Sequence, residues 1–347
     1  MKKLKIGKVF MGDGSPISVQ TMTTTDTRDA EKTIAQVREL TAAGADIVRL
    51  AVPDLAAAES FGRIKAETEV PLVADIHFDY RIALACIQNG ADKIRVNPGN
   101  IGSADRVRCV AEAAGMAGIP IRIGVNAGSL EKEFQEKYGV SARAMVESAK
   151  YHASLLEKEG FTDIAVSLKA SDVQKTVEAY RLMAKECAYP LHIGITEAGT
   201  AYAGLIKSAA GIGSLLLDGI GDTIRVSLSA PPAEEVRAGI TLLKALGKRQ
   251  GAMLISCPTC GRCKLDLMPI ASEMEAYLAH IEKPIRVAVM GCAVNGPGEA
   301  READVGIAGG EGKAVLFRHG EIVGSIPAEE ILPTLKREVE RILKSWK

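Results

Sequence analysis

Aromatic residues make up only 4% of the 347-residue chain, with a single Trp, which leaves little for stacking nucleic-acid bases. Charge of neither sign is in surplus. Lys plus Arg and Asp plus Glu both number 43, so nothing draws the chain as a whole onto nucleic acid or an anionic membrane, and any anion site has to be built locally. No stretch approaches the ~18 apolar residues that span a bilayer. The basic start Lys2-Lys3-Leu4-Lys5 is not followed by the apolar segment of a secretory signal. The seven cysteines are an odd number, and four of them crowd between Cys257 and Cys292, which fits a reducing compartment and metal or cluster chemistry better than disulfides. The expectation is a cytoplasmic protein with no nucleic-acid and no membrane partner.

With 47% hydrophobic residues the chain exceeds one ordinary core and suits a barrel plus a modest second domain. Eight short apolar runs stand out: Ile17-Met22, Asp46-Val52, Pro71-His77, Lys93-Pro98, Ile121-Asn126, Asp163-Lys169, Leu191-Glu197 and Thr223-Leu228. Each is too continuously apolar to be half-exposed, as expected of parallel strands covered on both faces. Between them run amphipathic segments, Asp29-Gly44, Asp54-Thr68, Asp79-Gly90, Ser103-Gly118, Ser141-Gly160, Asp172-Cys187, Ala201-Gly219 and Ala233-Gly247, several opening on Asp or Ser and closing on Gly. The alternation predicts an α/β chain with a (β/α)8 TIM-type barrel over residues 1–247. An open doubly wound sheet would carry a Gly-rich loop after its first strand, where this sequence has Gln20-Thr21-Met22-Thr23-Thr24-Thr25. From Lys248-Arg249-Gln250-Gly251 onward the composition shifts to Cys, Gly and Pro. Residues 248–347 are expected to form a small α+β domain, with Ala252-Ser256 leading into the cysteines, a helix at Ser272-Ile281, a strand at Ile285-Met290, two short strands and a helix at Ala328-Lys344.

Barrel chemistry takes place at the carboxyl ends of the strands. Those ends hold Arg49, Asp75 and His77, Arg95 and Asn97, Arg122 and Asn126, Lys169, Thr196 and Glu197, and Arg225 and Ser227. Cations converging on one mouth repel unless an anion occupies the space, and guanidinium forks suit phosphate oxygens. The competing reading pairs each cation with a neighbouring carboxylate. Alternation puts Asp75 and His77 on one face of their strand. Glu197 reads as a proton donor or base, or as the counter-ion of Lys169 or Arg225.

The second region carries Cys257-Pro258-Thr259-Cys260-Gly261-Arg262-Cys263, a C-x2-C-x2-C run, with Cys292 later in Gly291-Cys292-Ala293-Val294-Asn295-Gly296-Pro297-Gly298-Glu299. Spacing alone leaves zinc and an iron-sulfur cluster both open. Cys86, Cys109 and Cys187 lie in helical patterns and read as small apolar residues. Gly306-Ala314 lacks the residues of a phosphate loop.

Those cysteine blocks, together with Gly44-Ala45-Asp46-Ile47-Val48-Arg49, Ala74-Asp75-Ile76-His77-Phe78, Arg95-Val96-Asn97-Pro98-Gly99-Asn100, Ser167-Leu168-Lys169-Ala170-Ser171 and Gly194-Ile195-Thr196-Glu197-Ala198-Gly199, resemble the bacterial 4-hydroxy-3-methylbut-2-enyl diphosphate synthases over essentially the whole chain. The resemblance implies reductive ring opening and dehydration of 2-C-methyl-D-erythritol 2,4-cyclodiphosphate to the linear hydroxymethylbutenyl diphosphate in the non-mevalonate isoprenoid pathway. It implies a [4Fe-4S] cluster on Cys257, Cys260, Cys292 and Glu299. It further implies a substrate grip from Arg49, Asp75, His77, Arg95, Arg122, Asn126, Lys169, Arg225 and Ser227, with Glu197 and His77 as catalytic residues. A ferredoxin or flavodoxin donor and a homodimer with an active site shared between subunits follow from the same likeness. Cys263 departs from the family pattern and leaves a four-thiolate set with Cys257, Cys260 and Cys292 as an alternative. The readings without the resemblance are a zinc-stabilised barrel acting on a sugar phosphate or pterin without redox chemistry, and a zinc-ribbon module tethering the barrel to RNA or protein.

Overall fold

The structure is a computed structural model and describes residues 2–292, 298 and 301–346. It divides into two compact units, Met1–Lys248 and Arg249–Lys347. The first opens with a hairpin, β1 (Leu4–Ile6) and β2 (Val9–Met11). Eight parallel strands follow: β3 (Ser18–Met22), β4 (Ile47–Ala51), β5 (Leu72–Asp75), β6 (Lys93–Arg95), β7 (Ile121–Asn126), β8 (Ile164–Lys169), β9 (His192–Ile193) and β10 (Thr223–Ile224). Strands β3 to β8 lie side by side in chain order, β10 flanks β3, and β9 flanks β10. A single parallel bridge, Val166↔Leu191, joins β8 to β9 and closes the barrel. The predicted (β/α)8 architecture is what the chain adopts.

Local chemistry explains the helices between the strands. Asp29, Asp54, Asp79, Ser141 and Asp172 each accept a bond from a backbone amide of the first turn of the helix they precede, removing orphan donors at the site of the positive helix end. The predicted helical segments match Ala30–Ala42, Leu55–Ala66, Tyr80–Gln88, Ala104–Ala117, Ala142–Lys158, Val173–Glu186, Ala201–Leu217 and Pro232–Ala245. Two elements were not foreseen: the hairpin and a short polar helix, Lys132–Tyr138, after β7.

The hairpin forms the barrel floor. Leu4, Ile6 and Met11 pack with Ile47, Val73 and Ala165 in one buried cluster, residues near the amino ends of β4, β5 and β8. Above this floor alternation stacks a polar tier. Lys93 Nζ lies 3.3 Å from Gln20 Oε1, and His192 Nδ1 lies 2.6 Å from Thr223 Oγ1, all four side chains fully buried. Two residues further along, β6 ends in Arg95 and β10 leads into Arg225, two of the cations of the mouth.

In the second unit β11 (Met253–Ser256) and β12 (Arg286–Met290) are parallel neighbours, followed in the sheet by β13 (Val305–Gly309), β14 (Lys313–Arg318) and β15 (Glu321–Pro327). Helices Leu267–Leu278 and Ile331–Ser345 bury Leu267, Met274, Leu278, Ile331, Leu335 and Val339 against the sheet. Three strands, rather than the expected two, precede the last helix. The extra one, β15, is an almost wholly exposed edge, so no apolar run announces it. The middle helix begins at Leu267 and not at Ser272, because Pro269 falls in its first turn, where a missing amide costs nothing. The Gly310–Gly312 stretch is the turn between β13 and β14, in keeping with its rejection as a phosphate loop.

Candidate active site

At the carboxyl ends of the barrel strands a cavity of about 230 Å³ is lined by Arg49, Asp75, His77, Arg95, Arg122, Asn126, Ser167, Lys169, Thr196, Arg225 and Ser227. All nine residues expected to grip substrate are among them. Glu197 is not; it is exposed beside Thr196, on a left-handed backbone with φ +53°. A non-glycine residue pays for that conformation, and such strain gathers at functional positions.

Of the five cations three have a carboxylate within reach, two of them sharing Asp75. Arg95 Nη1 lies 3.2 Å from Asp75 Oδ1 and Arg49 Nε 3.6 Å from Asp75 Oδ2, while Arg225 Nη2 lies 3.5 Å from Glu235 Oε2. Arg122 and Lys169 have no salt-bridge partner among the described residues. Arg122, 1% exposed, bonds only through Nη1 to Ser167 Oγ at 2.6 Å, and its Nε and Nη2, like Nε of Arg95 and of Arg225, are buried without a hydrogen-bond partner. Lys169 Nζ lies 3.1 Å from His192 Nε2.

Protonation follows from this crowding. Burial and the neighbouring cations push Arg122 and Lys169 well below their ordinary values, and burial brings Arg49 to about 10 despite Asp75. Burial also opposes the charge on Asp75, yet Arg49 and Arg95 hold its carboxyl below the usual range. His77 is lowered by burial, against the pull of Asp75. Because a guanidinium only donates, the 3.1 Å contact between Arg95 Nη1 and His77 Nδ1 makes Nδ1 the acceptor and leaves the ring proton on Nε2.

Small residues make room for the large ones. A Cβ on Gly124 would sit 2.6 Å from Arg95 Nε, and one on Gly194 would sit 2.4 Å from the Arg225 carbonyl oxygen and 3.1 Å from Lys169 Nζ. Asn97 does not line the cavity. It clamps Gly124 instead, donating to its carbonyl at 3.0 Å and accepting from its amide at 2.8 Å, which fixes the floor under Arg95. Sequence reasoning named Thr196 as a strand-end residue without giving it a role, and did not select Ser167 or Glu235. Ser167 sits two residues before Lys169 and so shares its face, a signal that was present. Glu235 lies on a helix, and nothing local marks it.

In the second unit Cys257 follows β11 directly and Cys292 lies two residues beyond β12, so two adjacent parallel strands deliver both to one sheet edge. The Gly291 amide donates to Cys257 Sγ at 3.1 Å. A Cβ at Gly291 would meet Cys263 Sγ at 2.4 Å and Cys257 Sγ at 3.5 Å, so only glycine lets the two loops approach. Cys260 is exposed, and hydrogen bonds from Arg262 lower its thiol; the same guanidinium is raised by Cys260 and also feels Cys292. Cysteines on two neighbouring loops, with a backbone amide bonded to one sulfur, are the donor chemistry of a thiolate-ligated iron-sulfur group, while among the described residues no three His, Cys, Asp or Glu stand together as a metal-holding group. Cys263 donates to the Leu265 carbonyl at 3.2 Å. Glu299 lies outside the described residues.

Comparison with known proteins bears on the whole chain. The family model described as the GcpE TIM-barrel domain matches residues 1–240, and that of the GcpE protein C-terminal domain matches residues 253–341. A protein of Geobacter sulfurreducens is 58% identical over 344 residues, 99% of this chain and 98% of its own. One of Ruminiclostridium cellulolyticum is 56% identical over 343 residues, 98% and 97% of the two chains. Both bear the name 4-hydroxy-3-methylbut-2-en-1-yl diphosphate synthase (flavodoxin). Among solved structures, type I 3-dehydroquinate dehydratase of Clostridium difficile superposes with a TM-score of 0.52 at 15% identity, over 71% of this chain and 98% of that one, a likeness of fold alone. With both domain models matched in order and relatives alike from end to end, the chain belongs to the GcpE family.

Proposed function

We propose that this chain reductively opens 2-C-methyl-D-erythritol 2,4-cyclodiphosphate to 4-hydroxy-3-methylbut-2-enyl diphosphate, consuming two electrons and losing one water. The observation that carries this reading is the buried excess of cation: five positive side chains round one cavity against Asp75 and Glu235. A dianionic cyclic diphosphate offsets that excess and supplies acceptors for the orphaned N–H groups of Arg122, Arg95 and Arg225. Asp75 holds Arg49 and Arg95 side by side, so that both meet the same anion without splaying apart. His77 offers Nε2–H, and Asn126 and Ser227 offer hydrogen bonds at the rim. Glu197, next in sequence to Thr196 of the cavity wall, is read as the proton donor or base at the reacting carbons.

In the second unit Cys257, Cys260 and Cys292, with Glu299, would hold a [4Fe-4S] cluster. A cluster held there would supply electrons one at a time, and a carboxylate in place of a fourth thiolate would leave one iron position exchangeable. Cys263, whose thiol donates to the Leu265 carbonyl, is read as standing outside the set. The Gly291 amide lowers the charge density on Cys257. Anaerobically prepared protein should contain iron and acid-labile sulfide, and its visible and EPR spectra should change when the cyclodiphosphate is added. Zinc without sulfide would replace this reading with that of a zinc-stabilised barrel acting on a sugar phosphate or pterin without redox chemistry.

The electron donor is read as a flavodoxin, the carrier in the relatives' names, with a ferredoxin as the substitute. No helix among the described residues is long and apolar enough to cross a membrane, and the reading places the enzyme in the cytoplasm. The protein is further read as a homodimer in which the barrel of one subunit works with the cluster of the other. Co-expression of a barrel-dead Arg122→Met chain with a cluster-dead Cys292→Ser chain should then restore a fraction of wild-type turnover. Two inactive variants that stay inactive together would refute the shared site.

A further inference from the structure

The seam where the barrel closes is its least regular part. β8 and β9 share one bridge, Val166↔Leu191, and further up the Thr196 amide reaches the Ala170 carbonyl at 3.3 Å. Between these points a side chain takes the place of the ladder. Tyr180, fully buried, accepts from the Leu168 amide at 3.0 Å and donates to the His192 carbonyl at 2.6 Å. Inside the barrel the same gap is spanned by Lys169 Nζ and His192 Nε2 at 3.1 Å, with Thr223 Oγ1 2.6 Å from His192 Nδ1.

The protons in this chain can be assigned. An ammonium has donors only, so Nε2 accepts from Lys169 and the ring proton sits on Nδ1, donated to the Thr223 hydroxyl. Burial first, and then Lys169, Arg122, Lys93 and Arg49, push His192 well below its ordinary value, so the ring remains neutral and keeps that tautomer. A lysine head rides on a flexible four-carbon stem, and fixing it costs rotamer entropy. Here His192 takes one of its three N–H bonds, and bare Gly194 leaves the space beside it. We propose that His192, itself held by Tyr180 and Thr223, is a positioning residue for substrate: it presents the Lys169 ammonium to the cavity in the orientation that receives a phosphate oxygen. The proposal rests on the reading of Lys169 as a phosphate anchor.

The test compares Lys169→Met, His192→Leu, His192→Gln and the double variant Lys169→Met/His192→Leu in cluster-loaded full-length enzyme. Steady-state KM and kcat are measured together with equilibrium binding of the cyclodiphosphate. His192→Leu should weaken binding by about tenfold or more, the scale of one hydrogen bond to a charged group, with a smaller change in kcat. His192→Gln, whose side-chain oxygen can accept from Lys169, should recover most of the loss. In the Lys169→Met background His192→Leu should change nothing further. Losses that add, or a glutamine variant no better than leucine, would overturn the role of His192 while leaving Lys169 as the anchor. Unchanged binding in Lys169→Met would overturn the anchor reading, and the proposal with it. Should His192→Leu fail to fold, Thr223→Val removes the bond on Nδ1 and should weaken binding in the same direction; unaltered affinity there would count against the proposal.

Discussion

Cys292→Ser is expected to yield a folded protein without acid-labile sulfide and without detectable turnover. The residue lies two positions past β12, a strand hydrogen-bonded on both sides in the five-stranded sheet, and the substitution leaves that pairing untouched. A serine hydroxyl is both harder and far less acidic than a thiol, and it cannot replace a thiolate in ligating iron at neutral pH. The barrel unit has its own core and should melt as before. Cys109→Ser, on an exposed helical position, is the matched control and should alter neither sulfide content nor rate. A Cys292→Ser enzyme that keeps its colour and activity would refute the ligand assignment.

Arg122→Met should separate function from stability. The guanidinium is buried, has no carboxylate partner among the described residues, and leaves two N–H groups unbonded. Removing one partner of a buried charge pair typically costs roughly 2–4 kcal/mol of binding, so KM for the cyclodiphosphate should rise by about 30- to 1,000-fold. The ligand-free protein should become more stable, on the order of 1 kcal/mol, because methionine fills similar volume without an unpaired charge or orphaned donors. Ser167, losing its partner, still donates to the Ile123 carbonyl at 3.3 Å. An unchanged KM, or a lowered melting temperature, would mark Arg122 as structural.

Much of this was legible before any coordinates. Strands covered on both faces read as unbroken apolar runs, so a charge at the end of one, such as Arg49 in Ile47-Val48-Arg49 or Lys169 after Leu168, is conspicuous against them. The same contrast made the barrel countable. What escaped notice had no such background. β1 and β2 are three residues long and interrupted by Lys5 and Gly7; the helix Lys132–Tyr138 has no fully buried residue, only Phe134 and Tyr138 half-buried against the core; β15 is solvent-facing. Glu197 was found as a strand-end residue, but its left-handed backbone, and with it its place outside the cavity wall, comes from the turn into Ala198-Gly199 and is not a matter of alternation. His192 was hidden because the second residue of a buried run looks like core, and only the seam geometry gives it a partner in Lys169.

The hairpin packed under the barrel has a kinetic corollary. With Leu4, Ile6 and Met11 packed across the amino-terminal end and the interior filled by Gln20, Lys93 and His192, the cavity opens only at the carboxyl ends of the strands. On the proposed reading the diphosphate, gripped by the arginines of the cavity, would be the last part of the molecule to leave. Spent product therefore stands in the path of each newcomer, and the departure of that charged tail sets a floor on how quickly one cycle can follow another.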